Sequence, residues 1–184
     1  MIASMKGDRT RGKAANRPQD LRLVALLGNP GRQYATTRHN VGWMLAEYLS
    51  QDPPEAWKEK FHGRFLKTGS RTLLKPDTFM NNSGRSVQAA LSFFSLSPHQ
   101  MVVVHDDLET AFGSVELAFA GGHRGHNGVR SVTQAIGSGD FWRLRIGVGR
   151  PPAGRSPGDW VLERFDAVEE KHLPEILARA ARLL

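Results

Sequence analysis

The sequence predicts a single α/β domain with a central, twisted, mixed β-sheet flanked by helices. Three observations carry that prediction. Short apolar runs, LRLVALL at 21–27 and MVVV at 101–104, have the length of buried strands. Segments with apolar residues at helical spacing lie between them. Turn signals such as Gly28-Asn29-Pro30-Gly31 separate the two kinds of segment. Strands that alternate with helices argue for α/β order. The chain has 184 residues, which suits one domain with a sizeable core, placed at 21–184 behind a flexible basic arm at 1–20.

The elements follow in order. Leu21 to Leu27 reads as a buried strand. Val41, Met44, Leu45, Tyr48 and Leu49 recur at helical spacing, with Thr37 as the candidate cap and Asp52-Pro53-Pro54 as the break. Phe61–Thr68 and Arg71–Lys75 read as paired strands around Gly69-Ser70. A helix after Asn82-Ser83 turns Val87, Ala90, Leu91 and Phe94 inward. Met101 to Val104 is a strand running into His105-Asp106-Asp107, and Val115 to Phe119 is another. The Gly-rich stretch AGGHRGHNG leads to a helix at Val129–Ile136. Leu144, Ile146 and Val148 alternate with Arg143, Arg145 and Gly147, the strand period, so Arg145 is expected to point off the buried face. Residues 169–184 form an amphipathic helix with Leu173, Ile176, Leu177 and Ala180 inward.

Composition bounds the function. No apolar run approaches the roughly 20 residues of a membrane span. The first residues lack the apolar core of a secretory signal. With no cysteine there are no disulfides, no thiolate nucleophile and no Cys-based zinc site, which fits a cytoplasmic setting. The net charge of +7 and pI of about 10.2 point to a polyanionic partner. Residues 1–20 carry a net +3 of it, leaving +4 for the folded part.

Sheets of this class bind ligands beyond the carboxyl ends of their strands. Asn29 and Asp106 both fall there, just past a strand. His39 opens the first helix, and together with Asp106 it permits a His–Asp dyad. The carboxylate would fix the imidazole tautomer, and the other ring nitrogen would activate a water. An ester yields to such a base with oxyanion donors, without a metal or covalent nucleophile. Asn29, Asn40, Asn81, Asn82 and Asn127 cluster at the same turns and could orient an ester or peptide group. Asn40 and Asn82 read better as turn and cap residues. AGGHRGHNG could cradle a phosphate but lacks the Lys-Ser/Thr of a P-loop. His123 and His126, with His105, form a conceivable but weakly supported zinc set.

Five segments, LLGNPGRQYATTRHNVGWM, KPDTFMNNSGRSV, VVVHDDLETAFGSVEL, GGHRGHNGVRSV and FWRLRIGVGRP, occur in this order and closely resemble bacterial peptidyl-tRNA hydrolases. The resemblance covers about residues 21 to 165. It implies a metal- and cofactor-free, monomeric esterase of the cytoplasm that releases peptides from tRNA. It places the general base on His39, its carboxylate partner on Asp106, and discrimination of blocked from free aminoacyl-tRNA on Asn29. Tyr34, Phe79, Met80, Asn81 and Asn127 match positions at the peptide–tRNA junction, and Arg145 matches a contact to the terminal tRNA phosphate. Ala118 stands where the family usually carries a base, and Arg124 where glycine is commoner, so Arg124 is a candidate substitute. The N-terminal arm is longer than usual and the C-terminal helix shorter. A non-catalytic RNA-binding relative and a metal-dependent hydrolase are the rival readings.

Overall fold

The computed structural model describes residues 18, 20–50 and 56–184. The expected arm at 1–20 and the Asp52-Pro53-Pro54 break therefore lie largely outside the described residues. Seven strands form one mixed sheet: β1 (Leu23–Leu26), β2 (Lys58–Lys60), β3 (Gly63–Thr68), β4 (Arg71–Pro76), β5 (Met101–Asp107), β6 (Val115–Phe119) and β7 (Trp142–Gly147). Their spatial order is β2-β3-β4-β1-β5-β7-β6. The central β4-β1-β5-β7 block is parallel. Antiparallel partners close both sides, β2–β3–β4 at one and β6 on β7 at the other. Among the described residues, no helix is long and apolar enough to cross a membrane.

Strand alternation divides the core between two faces. Val24, Leu26, Val102, Val104, Leu144 and Ile146 pack with α1 (Val41–Leu49) and α5 (Ala167–Leu183). Leu23, Ala25, Leu27, Met101 and Val103 pack with α2 (Ser83–Phe94) and α3 (Asn127–Ile136). The short α4 (Pro157–Leu162) lies near the segment that precedes α1. A central strand buried on both faces reads as an unbroken apolar run, which is why β1 and β5 were legible.

Several local expectations change. The side chain of Thr37 caps no helix; its hydroxyl donates to the Tyr34 carbonyl, and a single 3-10 turn, Arg38–Asn40, intervenes before α1. Neither Asn40 nor Asn82 caps the helix it precedes through its side chain. Asp106 lies inside β5 rather than past its end, because His105, Asp106 and Asp107 continue the ladder opposite Arg145, Ile146 and Gly147. Arg145 does leave the face of Leu144 and Ile146, yet it is only 7% exposed, since the opposite face is also covered. The last helix begins at Ala167 because Asp166 caps it, accepting from the Val168 and Glu169 amides, while Glu169 reaches back to the Asp166 amide.

Candidate active site

The 3-10 turn before α1 and the carboxyl end of β5 place the two catalytic candidates side by side. His39 Nδ1 lies 2.9 and 3.1 Å from the two oxygens of Asp106. Asp106 is buried, so one imidazole nitrogen is committed to a carboxylate away from water. His39 remains partly exposed and lines the groove. A buried anion at Nδ1 fixes the proton there and leaves Nε2 as the basic nitrogen. Burial alone disfavours the charged imidazole, but the charge and hydrogen bond of Asp106 outweigh it, and the His39 pKa is raised above its ordinary 6.5. Asp106 responds in the opposite sense. Burial pushes its pKa up, yet the neighbouring imidazoles hold it well below the usual carboxylate range.

A third residue joins this pair. His126 Nε2 lies 2.8 Å from Asp106 Oδ1, while its Nδ1 accepts from the amides of Gly128 and Val129 at the start of α3. Two backbone donors on Nδ1 require the hydrogen to sit on Nε2, so His126 donates to Asp106. It serves at once as the cap of α3 and as the second donor to the buried Asp106 carboxylate. From the sequence, His126 is a candidate zinc ligand only. The helix begins at Asn127, two residues before the expected start at Val129, and this puts His126 at the cap position. His105 is also close, with ring centroids 4.8 Å from His126, and its Nδ1 donates to the Asp106 carbonyl at 2.7 Å. Burial, then the neighbouring His126 ring, lowers its pKa to about 3, so it stays neutral.

The weighed set of His105, His123 and His126 is not the group whose ligand atoms converge. Among the described residues that group is His39, Asp106 and His126, within 4.8 Å of one another. The facing atoms already make hydrogen bonds, and His126 Nδ1 is taken by backbone amides. His123 Nδ1 accepts from the Gly125 amide in its own loop.

The asparagines divide their work. Asn40 Oδ1 accepts from the Asn29 amide and its Nδ2 donates to the Asn29 carbonyl, both at 2.9 Å. Asn40 is thus the template that holds the Asn29 backbone. Asn29 Oδ1 accepts from the Met80 amide at 2.7 Å, which orients the carboxamide. Its Nδ2 is left as the donor on the groove side. That groove, of about 520 Å3, is lined by Asn29, His39, Phe79, Met80, Asn81, Asn127 and Leu162. Phe79 is 56% exposed, with Tyr34 against its edge at 6.5 Å. Met80 differs from the rest: its side chain is buried among the core residues of the α2–α3 face. A second cleft, of about 330 Å3, shares His39 and Asn127 and extends past Asp107 to Arg124.

Both arginines carried over from the sequence converge on Asp107. Arg124 Nη1 donates to its Oδ2 at 3.0 Å, and Arg145 Nε lies 3.6 Å from the same oxygen. Arg145 Nη1 is 3.8 Å from Glu116. Burial, then the charge of Arg124, lowers the Arg145 pKa, against the pull of Asp107 and Glu116. Arg38, which carries no functional signal in the sequence, is the anchor beneath His39. It is 2% exposed, donates to the Arg164 carbonyl at 2.7 Å and to Glu169 at 2.6 Å, and lies 3.6 Å over the Trp160 ring. An arginine beside a histidine in a turn resembles a solvated residue until the fold brings α4 and α5 over it.

The assembly pairs an imidazole with a buried carboxylate beside a groove of carboxamides and an aromatic. A family model for peptidyl-tRNA hydrolase matches residues 23–184. A peptidyl-tRNA hydrolase of Sorangium cellulosum is 49% identical over 170 residues, covering 87% of this chain and 75% of that protein. One from Mycolicibacterium vanbaalenii is 47% identical over 165 residues, covering 86% of each chain. Crystal structures agree: a point mutant of the Acinetobacter baumannii peptidyl-tRNA hydrolase superposes with a TM-score of 0.79 at 33% identity, covering 89% of this chain and 87% of that one. A peptidyl-tRNA hydrolase complexed with N-propanol gives 0.77 at 34%, covering 89% and 88%. With a site, a fold and a sequence match that agree along nearly the whole described chain, this protein belongs to the peptidyl-tRNA hydrolase family.

Proposed function

We propose that the chain hydrolyses the ester joining a peptide, or an N-blocked amino acid, to tRNA, and so returns stalled tRNA to use. The observation that carries this reading is the buried Asp106 on His39 Nδ1, which leaves Nε2 as a base at the groove wall. His39 Nε2 takes a proton from water as the oxygen attacks the ester carbonyl. Asp106 stabilises the imidazolium that forms, and His126 holds the second lone pair of Oδ1 so that the carboxylate keeps its orientation. The Asn29 amide, oriented through Met80, donates to the carbonyl or peptide oxygen of the substrate. Collapse of the tetrahedral intermediate expels the ribose oxygen, which recovers the proton from His39.

Asn81, Asn127, Phe79 and Tyr34 are read as the surround of the peptide–tRNA junction, with Met80 contributing its amide rather than an exposed side chain. Arg145 is read as the phosphate contact. Its ion pairs of 3.6 and 3.8 Å are longer than a direct hydrogen bond, so a phosphate has geometry to gain by displacing them. The protein is read as a cytoplasmic monomer that works without a metal. One experiment tests the activity: incubation with N-acetylated and with free aminoacyl-tRNA. Release from the first and not the second supports the reading; equal or no release refutes it. Unchanged turnover in excess EDTA is the expected result for a metal-free step, and loss restored by zinc would reassign His39, Asp106 and His126 as ligands.

A further inference from the structure

A second charged surface, lined by residues outside the catalytic groove and cleft, runs from the amino ends of the parallel strands along the β2–β3 edge, and hydrolysis does not use it. The parallel strands β1, β4 and β5 deliver their carboxyl ends to the catalytic residues. Their amino ends, at Arg22, Arg71 and Gln100, border a depression of about 350 Å3 together with Lys67 and Phe94. Lys67 and Phe94 also border a neighbouring depression of about 400 Å3, which adds Lys58, Lys60, Phe65 and Phe93. Among the described residues, no aspartate or glutamate lines either one. Arg22 is neutralised by Asp20 at 2.5 Å, so the net charge comes from Lys58, Lys60, Lys67 and Arg71.

Strand alternation sorts these groups. Lys58 and Lys60 share one face of β2, and Glu59 takes the other. Lys58 stands opposite Phe65, and Lys67, two residues along β3, lies on that same face. The end of α2 brings Phe93 and Phe94 beside them. Lys60 Nζ is 3.6 Å from the Phe93 ring centre, and Lys67 Nζ is 5.5 Å from that of Phe94. Phe93 is 57% exposed. Phe79 and Leu162, also exposed, belong to the catalytic groove, whereas Phe93 has no part in it. Lysines on an edge strand do guard it against pairing with another chain. That role covers Lys58 and Lys60. It does not cover Lys67 one strand inward, and it argues against an exposed phenylalanine at the same place.

We propose that this face docks single-stranded RNA, separately from the substrate at His39. Cations along a strand track a phosphate backbone, and interleaved aromatic rings receive unstacked bases. An acidic peptide would satisfy the lysines but make no use of the exposed Phe93 ring. Because none of the residues lining this surface lines the catalytic groove or cleft, RNA bound there leaves the catalytic cleft free, and the two occupants bind together.

The test uses the full chain and a fluorescein-labelled oligouridylate of about ten nucleotides, within the roughly 4–16 that such surfaces cover. Anisotropy is recorded against salt. The parent binds, and Lys60→Glu with Lys67→Glu weakens binding and flattens the log–log salt slope by about 1.4, or about 0.7 for each lost phosphate contact. Phe93→Ala weakens it about fivefold or more, as expected for one lost stacking platform. Arg145→Ala, at the other end of the sheet, binds the oligonucleotide like the parent. Hydrolysis of N-acetylated aminoacyl-tRNA survives the Lys and Phe93 substitutions. All three residues are exposed, and unchanged melting temperatures certify folding. Unchanged affinity in the lysine variant overturns the proposal. So does full retention in Phe93→Ala, or equal displacement by a polyglutamate peptide, which would point to an acidic protein instead.

Discussion

At the scale of single residues, the site is a problem of protonation. In the proposed mechanism His39 serves as a base only when neutral, and Asp106 raises its pKa above 6.5. Activity therefore rises with pH along a limb whose midpoint lies above 6.5; a pH–rate profile of kcat/KM checks it. In Asp106→Asn the stabilising charge is gone and burial remains, so the limb moves to lower pH and the rate falls. A limb that stays in place would break the link between the two residues. His39→Ala lowers hydrolysis at least about 100-fold, the usual scale for a lost general base, while substrate binding survives. His126→Ala removes two things at once, a donor to Asp106 and the cap of α3. The helix cap alone is worth about 0.5–2 kcal/mol, so denaturant unfolding and turnover both decline in this variant.

At the scale of elements, the site depends on how the start of α1 is held. A Cβ added at Gly42 would lie 2.5 Å from the Leu27 carbonyl oxygen, so α1 and β1 meet backbone to backbone. Gly42→Ala forces them apart and costs about 1–3 kcal/mol, the scale of overpacking. Because His39 and Asn40 precede this helix directly, turnover falls further than stability does. Arg38 ties the same segment to Arg164 and Glu169. Removing one partner of a buried ion pair costs about 3–5 kcal/mol, so Arg38→Ala shows a marked drop in unfolding free energy. If Arg38→Ala unfolds like the parent, the anchor has been misassigned.

At the scale of the whole molecule, acid is the weak direction. His105 has a folded pKa of about 3 against an ordinary 6.5. It contributes stability that is complete above 6.5 and is lost as pH falls from there toward 3, with a slope of up to about 1.4 kcal/mol per unit. Asp106, whose pKa is depressed, adds to the same loss at lower pH, below its ordinary value. His39 has the opposite sign: its contribution is present below 6.5 and disappears as pH rises through its raised pKa. Urea unfolding at about pH 5 and pH 7.5 reads the balance. The expected result is lower stability at the acid end, with a smaller difference in His105→Asn, which keeps a donor for the Asp106 carbonyl but cannot take a charge.

The sequence by itself determined the elements whose signal is local. The apolar runs of β1 and β5, the Gly69-Ser70 hairpin and the periodicity of α1, α2 and α5 each depend on neighbours along the chain. The pairing of His39 with Asp106 was legible as a possibility because Asp106 lies near a strand end and His39 at the opening of the first helix, and the ordered motifs made it specific. Only the tertiary structure decided what lies on the far side of each residue. Arg145 has the spacing of an outward-facing side chain, yet the Gly-rich loop and Asp107 enclose it. Asn40 has the sequence of a cap and serves as a template for Asn29. His126 and Arg38 gain their roles from partners 20 and more than 120 residues away. Periodicity reports which face a side chain leaves, and strand ladders and helix packing decide what covers that face.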